Sequence, residues 1–154
     1  MDELATRLSE DVHVYLVPTG PLRDKVEFIN KKNPALALEI HFNSAVNSKG
    51  INVGRGSETL YYPGSPIGKR YAEVVQKNLA KPFPPDRGAK AGWYQMRENG
   101  VPDYFLKACT CPSLIIEPEF IHRHAALRTK KAAGVAAIAE AVLEILTHIE
   151  GEEV

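Results

Sequence analysis

Two apolar runs that each end in polar side chains constrain this chain most. They are Leu36-Ala37-Leu38-Glu39-Ile40-His41-Phe42-Asn43-Ser44 and Ser113-Leu114-Ile115-Ile116-Glu117-Pro118-Glu119-Phe120-Ile121. Short apolar runs of this kind read as β-strands covered on both faces, as the inner strands of parallel sheets are. In open α/β sheets, ligands bind outside the C-terminal ends of the strands. His41 and Glu117 are therefore expected to face one pocket. A neutral imidazole can bind a metal and a carboxylate can move protons, a pairing that suits metal-assisted hydrolysis.

The rest of the chain alternates helical and strand-like patterns, which predicts an α/β fold with a mostly parallel sheet flanked by helices. Helical spacing covers 2–9, then 21–32, where Pro21 suits a first turn and Asn33-Pro34 breaks the pattern. Another helix is expected over 65–79 with Ser65 as its cap, and a short one over 102–108. Strands are expected at 12–17, 36–42, 58–62 and 113–117, with a further one possible at 92–96. The stretch 81–90, with three prolines, reads as irregular, and 43–57 as a surface loop. An Ala-rich helix closes the chain over about 124–148. No linker or repeat divides the sequence, so residues 1–154 form one domain.

Composition narrows the function. The 19 basic and 19 acidic residues cancel, leaving no global field to attract nucleic acid or a membrane surface. No apolar run is expected to reach membrane-spanning length, and Met1-Asp2-Glu3-Leu4-Ala5 does not open a secretory signal. The expectation is synthesis in the cytoplasm. Cys109 and Cys111 form a Cys-Thr-Cys pair just before an apolar strand. With no second Cys/His pair at finger spacing, they read as small core hydrophobes rather than ligands.

Several segments, in order, resemble zinc-dependent N-acetylmuramoyl-L-alanine amidases of the amidase-3 type. Ile40-His41-Phe42-Asn43-Ser44 is similar to the family's "IHxN" segment. Glu58-Thr59-Leu60-Tyr61-Tyr62-Pro63-Gly64-Ser65 with Gly68-Lys69-Arg70 resembles the strand and helix after it, and Arg87-Gly88-Ala89-Lys90 its "RGxK" stretch. Leu114 to Ile121 resembles its "LxExxF" segment, in the endolysin-like form with Pro after Glu. The resemblance implies hydrolysis of the amide between N-acetylmuramic acid and the L-alanine of the peptidoglycan stem peptide. It makes His41 a zinc ligand and Glu117 the catalytic carboxylate; Asn43, and Arg97 at a position that matches the family, are candidate substrate contacts. The reaction would act on the cell wall, in phage lysis or as part of an exported enzyme.

The departure from the family is equally specific. Its first zinc histidine lies in a Gly-His-Gly segment, which this sequence lacks, and its glutamate ligand lies near the start of the first helix. The chain is thus expected to be N-terminally truncated relative to the family and to bind zinc weakly or not at all. The alternative function is a metal-deficient domain that binds cell-wall peptide without cutting it.

Plainer readings stand beside each site residue. His41 can be a strand-end imidazole bonded to backbone, and Glu117 a carboxylate paired to a nearby arginine. Arg97 can be a surface ion pair, and Asn43 can simply hold a turn. Glu119 either joins Glu117 on one side of a continued strand or is solvated, with Pro118 leaving both open. Glu39 reads as structural, and His122 and His124 as surface residues.

Overall fold

The computed structural model describes residues 2–93 and 100–152, and the fold they form is three-layered. Helices α1 (Asp2–Leu8) and α2 (Leu22–Lys32) precede strand β1 (Ala37–Ile40). Strand β2 (Ser57–Tyr61), helix α3 (Pro66–Leu79) and strand β3 (Asp86–Ala91) follow. Helix α4 (Tyr104–Ala108), strand β4 (Ser113–Glu117) and helices α5 (His124–Thr129) and α6 (Lys131–Glu152) complete it. The sheet order is β1-β4-β2-β3. β1 runs parallel to β4 and β2 parallel to β3, while the central β2–β4 pairing is antiparallel.

β4 is buried along its whole length because both faces are covered. Leu114 and Ile116 point into a core built from α1, α3 and α6, with Tyr71, Val75, Leu79, Ile138 and Ile145. Ile115 points the other way, toward Val26, Ile29, Phe105 and Leu106 of α2 and α4. A fully buried aliphatic side chain contributes about 1.5–3 kcal/mol, so these two clusters carry the sheet's stability. Local signals set the helix ends. The Ser65 hydroxyl accepts from the Gly68 backbone N–H at 3.0 Å, with Pro66 in the first turn. Asn33, left-handed at φ 47°, ends α2.

Several expectations are corrected. Residues 12–17 form no strand. Val12 and Val14 still pack on the core, and instead of a ladder this segment and the β1 region share the lining of an apolar cavity of about 450 Å³, with Val14, Leu16, Leu36 and Leu38. The supposedly irregular stretch 81–90 contains most of β3, because its prolines end before Asp86 and only Gly88 falls inside. Trp93, at the start of the other candidate strand, makes one isolated bridge to Pro102, and 94–96 lie outside the described residues. The C-terminal helix is broken at Lys130, where the Thr129 hydroxyl bonds back to the carbonyls of Ala125 and Ala126 and competes with the helix ladder.

Within α6, Lys131–Ile149 has the length and mean hydropathy, 1.6, of a membrane span, contrary to the expectation that no run reaches that length. Its Ala137, Ile138, Ala141, Val142 and Ile145 are core residues, the ordinary reason for such a composition in a packed helix.

Candidate functional site

The antiparallel centre of the sheet decides what meets at the site. β1 and β4 arrive there by their C-terminal ends and β2 by its start, so Glu58 stands directly opposite Glu117. Cross-strand partners share a face, and two ionised carboxylates there would repel. Glu58 is 1% exposed and Glu117 7%. Burial, then the hydrogen bond and negative charge of Glu58, push the Glu117 carboxyl up to about 8, against the pull of Arg87 and Lys90. Burial acts on Glu58 in the same direction, but hydrogen bonds with Lys90, Glu117 and Arg87 outweigh it and hold its carboxyl below the ordinary value. The two carboxyls are thus pushed in opposite directions, which favours the proton on Glu117 and the charge on Glu58.

The other polar groups fix this pair. Asn43 donates from Nδ2 to Glu58 Oε1 and, at 2.6 Å, to Glu117 Oε2. Two carboxyl acceptors settle which way the amide faces. His41 Nδ1 lies 3.4 Å from the other oxygen of Glu117, and the imidazole is 42% exposed. Arg87 reaches Glu58 from Nε at 3.2 Å and from Nη2 at 3.4 Å, and Lys90 Nζ also bonds Glu58 Oε2. Arg87 and Lys90 are three apart, which in a regular strand puts them on opposite faces. Ser57 pairs Asp86 while Thr59 pairs Ala89, so β3 carries one extra residue, with Gly88 at φ 86°. That bulge reverses the alternation and lets both cations meet one carboxylate.

The expected meeting of His41 and Glu117 is therefore found, with Asn43 between the carboxyls. Arg97 lies outside the described residues. Sequence reasoning passed over Glu58, Arg87 and Lys90. The available signal was an acid in an apolar strand, which needs a partner, and an Arg-Gly-x-Lys stretch able to supply two.

Glu119 takes neither of the two roles considered for it. It is buried, and accepts from Gly56 N at 2.8 Å, Phe120 N at 3.0 Å and Arg123 Nε at 3.0 Å. Pairing resumes beyond Pro118, with Asn43 bridged to Phe120, so Glu119 clips the 43–56 loop to the sheet's end. Gly56, at φ 89°, has no room for a side chain: a Cβ would stand 2.1 Å from the Pro85 carbonyl oxygen. Gly56→Ala is expected to cost about 3 kcal/mol or more, from left-handed strain plus the backbone clash. Urea unfolding measures this, and an unchanged midpoint would contradict it.

Among the described residues no three His, Cys, Asp or Glu side chains converge as a metal-holding group. Cys109 and Cys111 pack against the α2–α4 core, as the sequence suggested. Burial pushes the Cys109 thiol up to about 12 and the Cys111 thiol upward as well, so both stay protonated.

Comparison with known proteins agrees with this picture. No curated protein sequence matches the chain. An N-acetylmuramoyl-L-alanine amidase from Clostridium difficile 630 has a similar structure, with a TM-score of 0.78 at 21% identity over 95% of this chain and 79% of that one. The catalytic domain of CwlV, an N-acetylmuramoyl-L-alanine amidase from Bacillus (Paenibacillus) polymyxa var. colistinus, gives 0.74 at 18% over 94% and 79%. The catalytic domain of the CD27L endolysin, targeting Clostridia difficile, gives 0.63 at 24% over 93% and 81%. At such identities these likenesses establish the α/β fold. The N-acetylmuramoyl-L-alanine amidase family model matches residues 1–148, nearly the whole chain and every residue of the carboxyl pair's surroundings, and the chain belongs to that family.

Proposed function

We propose that Glu117 is the proton-transferring group of a peptidoglycan amidase that cuts between N-acetylmuramic acid and the L-alanine of the stem peptide. The observation that carries this reading is the buried Glu58–Glu117 pair at the sheet's end, in a chain of the amidase family. In its ionised form, the minority at neutral pH and a growing share as pH rises toward 8, Glu117 takes a proton from water as the water oxygen bonds to the amide carbonyl carbon. The C–N bond then breaks, and Glu117 returns the proton to the nitrogen that becomes the free amine of L-alanine. Asn43 holds one carboxyl oxygen, so the oxygen beside His41 is left for the exchange. Arg97 is proposed to contact a substrate carboxylate.

Zinc is the metal that the family resemblance implies, and His41 is the residue proposed to hold it. The donor set does not fit a complete centre: a catalytic zinc takes three protein ligands, and the described residues bring one imidazole and a carboxyl already bonded to Asn43. Zinc is accordingly expected to dissociate during dialysis against a mild chelator, with metal analysis of the dialysed protein as the check. Stoichiometric retention would show that ligands beyond His41 complete the site.

The activity is tested by incubating the protein with purified peptidoglycan, with and without added zinc, and assaying newly freed L-alanine amino groups. Release supports the amidase reading, and binding without release in both conditions favours a wall-binding domain.

A further inference from the structure

Glu58 is a buried ionised group outside the proton-transfer step just described. It is also the most heavily bonded residue at the site, touching Asn43, Arg87, Lys90 and, across the ladder, Glu117. Its charge is compensated by cations. Two converge here, and they do so only because β3 spends an extra residue at Gly88 to bring Arg87 and Lys90 to one face. Asn43 divides its two amide hydrogens between Glu58 and Glu117, which ties the rotamer of one carboxyl to the place of the other.

We infer that Glu58 is a positioning residue for the reaction: clamped by Arg87 and Lys90, it fixes the Asn43 amide, which holds Glu117 Oε2 and turns Oε1 toward His41 and the cleft. This rests on the amidase reading. Glu58 touches no reacting atom in this scheme. It acts through Asn43, and its loss lets the Glu117 carboxyl rotate away from the geometry that a proton transfer needs.

The test uses the full chain and two substitutions. Glu58→Gln keeps the shape and removes the charge. Glu58→Asp keeps the charge and withdraws it by one methylene, and it carries the test if Gln leaves Arg87 and Lys90 too poorly compensated to fold. Circular dichroism checks folding, and kinetics on solubilised peptidoglycan fragments separate kcat from KM. The Asn43 side-chain amide resonances, by ¹H–¹⁵N NMR, report the bridge directly. The expected result is a folded variant whose kcat falls about 10–100-fold with KM within about twofold of the parent, because positioning is lost while substrate binding is kept. The Asn43 amide resonances move in the same variant. A purely stabilising Glu58 would lower the unfolding temperature and leave kcat in place. A folded variant with kcat within about twofold of the parent, or with unmoved Asn43 resonances, overturns the inference. If the parent protein shows no turnover with zinc supplied, the amidase reading has failed, and the Asn43 resonances alone decide whether Glu58 holds the bridge.

Discussion

Glu117→Gln is expected to abolish amide hydrolysis, lowering kcat by about 10²–10⁴-fold, the usual worth of a positioned acid–base group. The substitution is close to isosteric. The glutamine carbonyl can still accept the 2.6 Å bond from Asn43, with its amide on the side of His41. The protein should therefore fold and keep its grip on peptidoglycan, so the loss is chemical rather than structural. An amide neither takes a proton from water nor returns one to an amine near neutral pH. The readout is free L-alanine amino groups released per enzyme, with co-sedimentation on insoluble wall as the binding control. Near-normal release would move the role to Glu58, the other carboxyl of this cluster among the described residues. It would not move it to Glu119, whose oxygens are committed to Gly56, Phe120 and Arg123.

The same residue is expected to make the protein less stable as pH rises from about 5 to 8.5. The folded-state carboxyl of Glu117 is pushed up to about 8, from an ordinary value of 4.5. The folded protein then binds this proton more tightly than the unfolded chain does. Its stabilising contribution is complete below about pH 4.5 and is lost as pH rises through about 8, with a slope of at most about 1.4 kcal/mol per pH unit. Glu58 has the opposite sign. Its carboxyl is held below the ordinary value, so its contribution is present at neutral pH and lost only in acid. In a chain of this size each kcal/mol lost lowers Tm by about 2–4 °C, so the decline is measurable by thermal unfolding across the window. Glu117→Gln removes the titrating group and should flatten the curve over that range. Identical slopes in the two proteins would mean that Glu117 is ionised throughout.

How much of this was legible in the sequence depended on which force set each element. β4 was read to its exact bounds, Ser113–Glu117, because burial on both faces demands an unbroken apolar run. α3 was equally plain, since Ser65, Pro66 and the apolar spacing all agree. The segment 12–17 carries the same apolar signal as a strand, yet forms no ladder. Pattern records that side chains are buried, not that a neighbouring backbone stands at bonding distance. β3 was missed for the converse reason: its Asp, Arg, Gly and Lys look like a loop, and they are strand residues because they serve a carboxylate on β2. Half the site was found from strand ends. Glu58 escaped because it lies near the start of its strand, and a sequence does not print strand direction. Only the antiparallel β2–β4 pairing carries the start of one strand to the end of another.

The place of β4 has a consequence for how the protein comes into being. It stands between β1 and β2 in the sheet but follows both in the chain, so β1 has no sheet neighbour until residues 113–117 exist. At about 5–20 residues per second, a ribosome leaves the apolar 36–42 run waiting roughly 4–15 seconds before its partner is even synthesised. Closing so long a loop is also what slows folding once the strand appears. The nascent chain is thus committed to folding late and nearly all at once, with its core strand the last to arrive.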